Sequence, residues 1–457
     1  MPKPPRRWLR ILSWGAPALV VLAIIGLFVA RAAIASYLRS EGFREFLARR
    51  IGTSLHAQAA VAPLSFTGMN LYAEGLRAQG FERAAFSDLQ IDGVRAELSL
   101  RRFSERVWQV DSVTAQRLQL TLGGPRSTAP DVLSPVAAAA PPSRGGTGGW
   151  LPNRVEIAQA TVRDTDLRWA GGGVTAMGVQ MEPQEGGWKI TGAGGKLAHA
   201  GLPPLDIQSV RLLHRRPELF VQSAELRQPG GGSVKVTGTV NTAEALDLRA
   251  ELDGLTLSPF LDGDWRVRFR GQASGEVTVR TPLPTRGPVD IHGSLRIANG
   301  ELEALPVLDE IAAFTRTQSF RRLKLTRASA DFQQTGPRLA VSNFIAEAER
   351  LIRIEGGFAL EQGMIDGTFQ VGVTAASLQW LPGSQARIFT VARDGYLWTP
   401  MRLTGPVDKP VDDLTPRLAE AAAGAVIEKA QELIKAPVEA GKGLLKDALD
   451  LLLPKAK

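Results

Sequence analysis

Residues 245–257, ALDLRAELDGLTL, put Leu246, Leu248, Ala250 and Leu252 on one side of an extended chain and Asp247, Arg249, Glu251 and Asp253 on the other. Successive side chains of a β-strand point to opposite faces, so this alternation predicts a strand with one apolar and one wet face. The same pattern recurs on both sides. In DWRVRFRGQ (264–272), Trp265, Val267 and Phe269 alternate with Arg266, Arg268 and Arg270. In MIDGTFQVGVTA (364–375), Ile365, Gly367, Phe369, Val371 and Val373 share a face. Shorter runs surround Val155 and Ile157, Val234 and Val236, and Ile352 and Ile354. Helical periodicity is scarce between 61 and 414, where PVLDEIAAF (306–314) is the short exception.

The expected fold is therefore mainly β, an elongated, curled antiparallel sheet. An apolar sheet face needs cover. A second sheet supplies it in a sandwich; the alternative is a groove whose apolar inside is covered by a ligand. The apolar face sets, with Leu246, Leu248, Leu252, Trp265, Val267, Phe269, Ile365, Phe369, Val371 and Val373 foremost, are the groove candidates, and ordinary core packing is the competing reading of each.

The ends of the chain read differently. Residues 11–30, ILSWGAPALVVLAIIGLFVA, are uncharged, and twenty residues at about 1.5 Å rise span a hydrocarbon core of about 30 Å. A transmembrane helix is expected there. Arg6, Arg7 and Arg10 precede it, and Trp8 and Trp14 sit at interfacial depth, which keeps residues 1–10 in the cytoplasm and exports the rest. A cleavable signal peptide is the rival reading, since Ala33, Ile34 and Ala35 form an A-x-A triplet. Residues 31–52 suit an amphipathic helix that Gly52 would stop. Residues 53–122 form a first β segment. GGPRSTAPDVLSPVAAAAPPSRGGTGG opens a Pro/Ala/Gly stretch, 123–150, that reads as a disordered linker. A middle β segment (151–290) and a C-terminal β domain (291–414) follow, and 415–457 returns to amphipathic helical spacing.

The net charge of +8 sits almost entirely at the front: the first fifty residues carry nine basic and two acidic side chains, and the remainder is nearly neutral. That distribution argues against a nucleic-acid partner. With no cysteine, disulfides and thiolate chemistry are excluded. The four histidines are scattered, neither G-x-S-x-G nor S-x-x-K occurs, and GAGGKL (192–197) lacks phosphate-loop spacing. Asp262 and Asp264 make half a calcium loop without its closing acid. No metal, no cofactor and no enzymatic activity are expected.

Several segments in a fixed order carry a family resemblance: GSLRIANGEL (293–302), PVLDEIAAF (306–314), FRRLKLTRASADF (320–332), LAVSNF (339–344), IEGGFALEQGMIDGTFQVGV (354–373) and PMRLTGPVDKP (400–410). A strand pair, a short helix, a meander and a last strand ending in Thr404, Gly405 and Pro410 resemble the C-terminal domain of the AsmA-like family of bridge-like lipid-transfer proteins. The anchor with GLRAQGF (75–81), and VEIAQATVRDTDLRW (155–169) after the linker, are similar in layout. The resemblance implies a single-pass inner-membrane protein whose bulk is periplasmic. Its groove would hold phospholipid acyl chains for transport or homeostasis between the two membranes, with an outer-membrane or periplasmic protein as a further partner. An envelope scaffold that assists outer-membrane protein assembly without carrying lipid is the alternative.

Overall fold

The computed structural model describes residues 40–421 apart from 124–153 and short gaps at 82–83, 100, 102–104, 106, 242–243, 262, 264, 283–286, 304–307, 310–311, 313–317, 349–350, 379–386 and 408. The expected transmembrane helix, Arg6, Arg7, Trp8, Arg10 and Trp14 lie outside the described residues, as does nearly all of the Pro/Ala/Gly stretch and of 415–457. No described helix is long and apolar enough to cross a membrane.

The chain is mainly β and divides within one strand into two compact units: residues up to 200 with 206–215, and residues 201–205 with 216 onward. The first unit opens with α1 (Glu41–Leu55), where the Ser40 hydroxyl caps by accepting from Phe43 N at 3.3 Å. Phe43 is 2% exposed, with its ring 6.0 Å from Trp108. The helix runs three residues past the expected stop, to a left-handed cap at His56. Gly52 serves instead for close approach, since a Cβ there would lie 2.6 Å from the Ala57 carbonyl oxygen.

In this unit β1 (Ala57–Val61) and β2 (Leu64–Thr67) both pair with β3 (Asn70–Gly80), which pairs with β4 (Phe86–Ser99), and β4 with β5 (Val107–Leu122). The sheet is mixed rather than antiparallel throughout. β5 runs parallel to β6 (Arg154–Ile157) and β7 (Ala160–Trp169). Residues 124–153 therefore join two neighbouring strands of one ladder. Antiparallel pairing resumes with β8 (Gly172–Gln184), which takes β9 (Gly187–Ala193) and β10 (Lys196–His199), and β9 takes the end of β11 (Leu202–Arg215).

The second unit is an antiparallel ladder. β12 (Glu218–Arg227), β13 (Ser233–Asn241), β14 (Ala245–Thr256), β15 (Phe269–Pro282) and β16 (Asp290–Glu303) pair in succession. β16 then takes β17 (Arg322–Leu325) and β18 (Arg327–Thr335) side by side. β19 (Arg338–Ala348), β20 (Ile352–Glu361), β21 (Met364–Thr374) and β23 (Tyr396–Pro406) follow, and β22 (Val391–Arg393) and β24 (Val411–Asp412) line the outer side of β23. The strand read over 264–272 is corrected: Trp265–Arg268 form a helical turn, α2, and β15 begins only at Phe269. Three arginines in five residues repel one another on one face of a strand. A helical turn fans them apart, and it leaves Val267 64% exposed.

Candidate functional site

Pairing in the second unit aligns the apolar faces strand by strand. One register row passes through Ala224, Val236, Ala250, Val277, Gly293, Phe332, Val341, Phe358, Gly367 and Leu403, one residue from each of ten neighbouring strands. At a strand spacing of about 4.8 Å the row is roughly 43 Å long. None of its members is charged. The parallel row through Val240, Leu246 and Thr281 and that through Val234, Leu252 and Gly275 flank it.

The opposite face is ionic. Arg249 meets Glu276 at 2.5 Å, Arg280 meets Asp247 at 3.0 Å and Arg402 meets Asp366 at 3.4 Å, each pair bridging adjacent strands. Near the last strands Arg353 and Arg393 share Glu355 at 2.6 and 2.5 Å, and the Tyr396 hydroxyl donates to Glu347 at 3.0 Å. Hydrogen bonding to Glu301, then the charge of Glu303, raises the Arg322 guanidinium above its ordinary pKa, so it stays cationic.

The apolar face is covered unevenly. Towards one end of β17–β23 it is closed by chain. Leu308, Ala312, Phe320, Leu378, Phe389, Leu414 and Leu418, from connections and from the helix at 414–421, are buried with Leu323, Ala346, Ile352, Phe369, Val371, Val373 and Met401 of the strands. Phe369 is 7% exposed, Val371 1% and Val373 0%. For these three the structure places side chains of the protein itself where a ligand was expected. Leu246, Leu248, Leu252, Phe269 and Ile365 are only half-buried, as is most of the ten-strand row. Trp265 is half-buried on α2 and, with Val267, lies off the strand face.

The floor of this face is kept low. At Gly367 an added Cβ would lie 2.7 Å from the Phe369 ring and 2.8 Å from Phe358 Cβ, and the Phe358 and Phe369 rings are 6.4 Å apart with planes tilted 33°. Glycine at 367 thus leaves room for the edge of the Phe369 ring beside Phe358.

The helical spacing of Leu308 and Ala312, four apart in the predicted 306–314 segment, and that of the C-terminal stretch bearing Leu418 were the readable signs of the cover. The contribution of Leu378, Ile388 and Phe389 carries no periodicity and was missed. Among the described residues no group of three or more metal-ligating side chains occurs. Comparison with protein-family models, with curated proteins and with solved structures returned no match.

Proposed function

We propose that this chain is a non-enzymatic, inner-membrane-anchored periplasmic protein of the AsmA-like kind. It holds phospholipid acyl chains along the half-buried apolar face of β12–β16 and serves lipid transport or homeostasis between the membranes. The supporting observation is the ten-strand apolar row, half-buried where side chains of the described residues do not cover it and bounded behind by a charged face. Burying a methylene is worth about 0.8 kcal/mol, so a sixteen-carbon chain drawn from a bilayer into water costs on the order of 12 kcal/mol. An uncharged floor offsets most of that cost along its length. The covered end would stop a chain from sliding further, which confines the occupied length to the strands ahead of it.

The test is mass spectrometry of the full chain purified in mild detergent, together with photo-crosslinking from Leu248 and from its neighbour Arg249 in cells. Co-purified phospholipid, crosslinked from Leu248 and not from Arg249, is the expected result. A lipid-free preparation with no adduct at either position would sink the reading in favour of the scaffold.

A further inference from the structure

A second feature lies in the first unit, on the side of the sheet away from its buried residues. In β3, β4, β5 and β7 the inward-facing residues are three apart at one place instead of two: Ala73 then Leu76, Ile91 then Val94, Ala115 then Leu118, Val162 then Thr165. Each strand thereby turns an extra residue outward, as a β-bulge does. The registers put these residues side by side. Gly75 opposite Asp92 and Ala73 opposite Val94 set Glu74 against Gly93; Asp92 opposite Arg117 and Arg95 opposite Thr114 carry the line to Gln116; Ala115 beside Val162 and Arg117 beside Asp164 carry it to Arg163. At Gly93 φ is +64°, and a Cβ would lie 2.4 Å from Gln116 Cγ, so backbone forms the floor there.

The crease opens a cleft of about 470 Å³ lined by Ser65, Tyr72, Glu74, Arg95, Gln116 and Arg163. That size falls within the roughly 300–1,000 Å³ of small-ligand sites. Arg95 is steadied, its Cζ 5.3 Å from the Tyr72 ring centroid and its guanidinium donating to Asn70 Oδ1 at 3.5 Å. On the flank of the crease Arg117 is neutralised by Asp164 at 3.1 Å. Arg163 and Glu74 make no side-chain hydrogen bond or ion pair with any described residue. Two guanidiniums and one carboxylate thus line a single cleft.

We propose that this cleft binds a zwitterion that joins a phosphodiester to a primary ammonium, with the phosphate on Arg95 and Arg163 and the ammonium on Glu74. The two non-bridging oxygens of a phosphodiester diverge from a tetrahedral centre, so each can meet one of two guanidiniums that approach from different strands. Glu74 then discriminates the amine-bearing headgroup from its uncharged-alcohol counterpart. The site is built from β2, β3, β4, β5 and β7, none of which is among the strands proposed to hold acyl chains, so it stands whether or not acyl chains bind there.

Titration calorimetry on the full chain in detergent, with glycerophosphoethanolamine, glycerophosphoglycerol and ethanolamine as probes, tests it. Glycerophosphoethanolamine should bind saturably and ethanolamine should not. Arg163→Gln should weaken binding at least tenfold. Glu74→Gln should keep the phosphate affinity and erase the preference for the ethanolamine ester. Arg338→Gln, an exposed change in the second unit, serves as control, and all variants should melt with the parent. Mixed micelles containing phosphatidylethanolamine that compete with the free ester identify a lipid-borne headgroup; mixed micelles that do not compete identify a free one. Absence of saturable binding, or binding indifferent to Arg163→Gln, overturns the proposal.

Discussion

Leu248 and Phe369 both belong to apolar face sets of alternating strands, yet their surroundings differ: Leu248 is half-buried on β14, whereas Phe369 lies in the core with Leu308, Phe320, Leu378 and Phe389. An aspartate at each should separate the two environments. At Phe369 a carboxylate would be buried without a partner, a cost of several kcal/mol that unfolds the second unit. At Leu248 water still reaches the site, so Leu248→Asp should leave the melting transition within a few degrees of the parent and strip co-purified lipid; calorimetry and lipid extraction of both variants check this. Gly367→Val is the complementary change, because its Cβ enters the space of Phe358 and Phe369. Overpacking of this kind costs about 1–3 kcal/mol, readable as a lower urea midpoint at unchanged slope. Period-two spacing made these residues legible as one face. It says nothing of what lies above that face, since cover is supplied by residues far along the chain.

Among the elements, the helix over 414–421 is held by a short acidic clamp. Asp412 Oδ1 accepts from the backbone of Leu414 at 2.9 Å and of Thr415 at 2.6 Å, and Asp412 Oδ2 accepts from the Thr415 hydroxyl at 3.0 Å. Arg417 reaches back to donate to Thr399 Oγ1 at 3.3 Å and to the Pro400 carbonyl. The clamp thus sets Leu414 and Leu418 over the buried end of the apolar face and blocks the edge of β23. Loss of such a cap typically costs about 0.5–2 kcal/mol. Asp412→Ala should therefore lower stability by that amount and raise binding of a hydrophobic dye, while Asp412→Asn, which keeps an acceptor, should recover most of the loss. The clamp could be read locally from Asp-Asp-Leu-Thr ahead of helical spacing. Two other elements could not. Alternation at 264–270 looked like strand because arginines and apolar residues took turns, and three crowded cations favoured a helical turn. The crease through Glu74, Gly93, Gln116 and Arg163 disturbs period two by one residue per strand, which in any single strand is indistinguishable from noise and acquires meaning only when registers align.

Over the whole molecule, stability should follow the cover. In the second unit the strands from β17 to β23 hold a closed cluster in which Leu308, Phe320, Ile352 and Val371 are at most 1% exposed. From β12 to β16 the same face is largely half-buried, and opening those strands forfeits less apolar contact. Cross-strand ion pairs do little to redress the balance, because pairs such as Arg280 with Asp247 are about half exposed and screened by salt. Amide exchange depends on the free energy of local opening, so the backbone of β20 and β21 around Ile352 and Val371 should exchange slowest, and that of β13 and β14 markedly faster. A ligand that binds only the folded ladder raises the opening energy of the strands it touches. Phospholipid restored to a stripped preparation should therefore slow exchange in β13, β14 and β15 and leave the already closed β20 and β21 unchanged. Slowing spread evenly over both groups would mean that lipid acts on the fold as a whole, without lying along the half-buried strands.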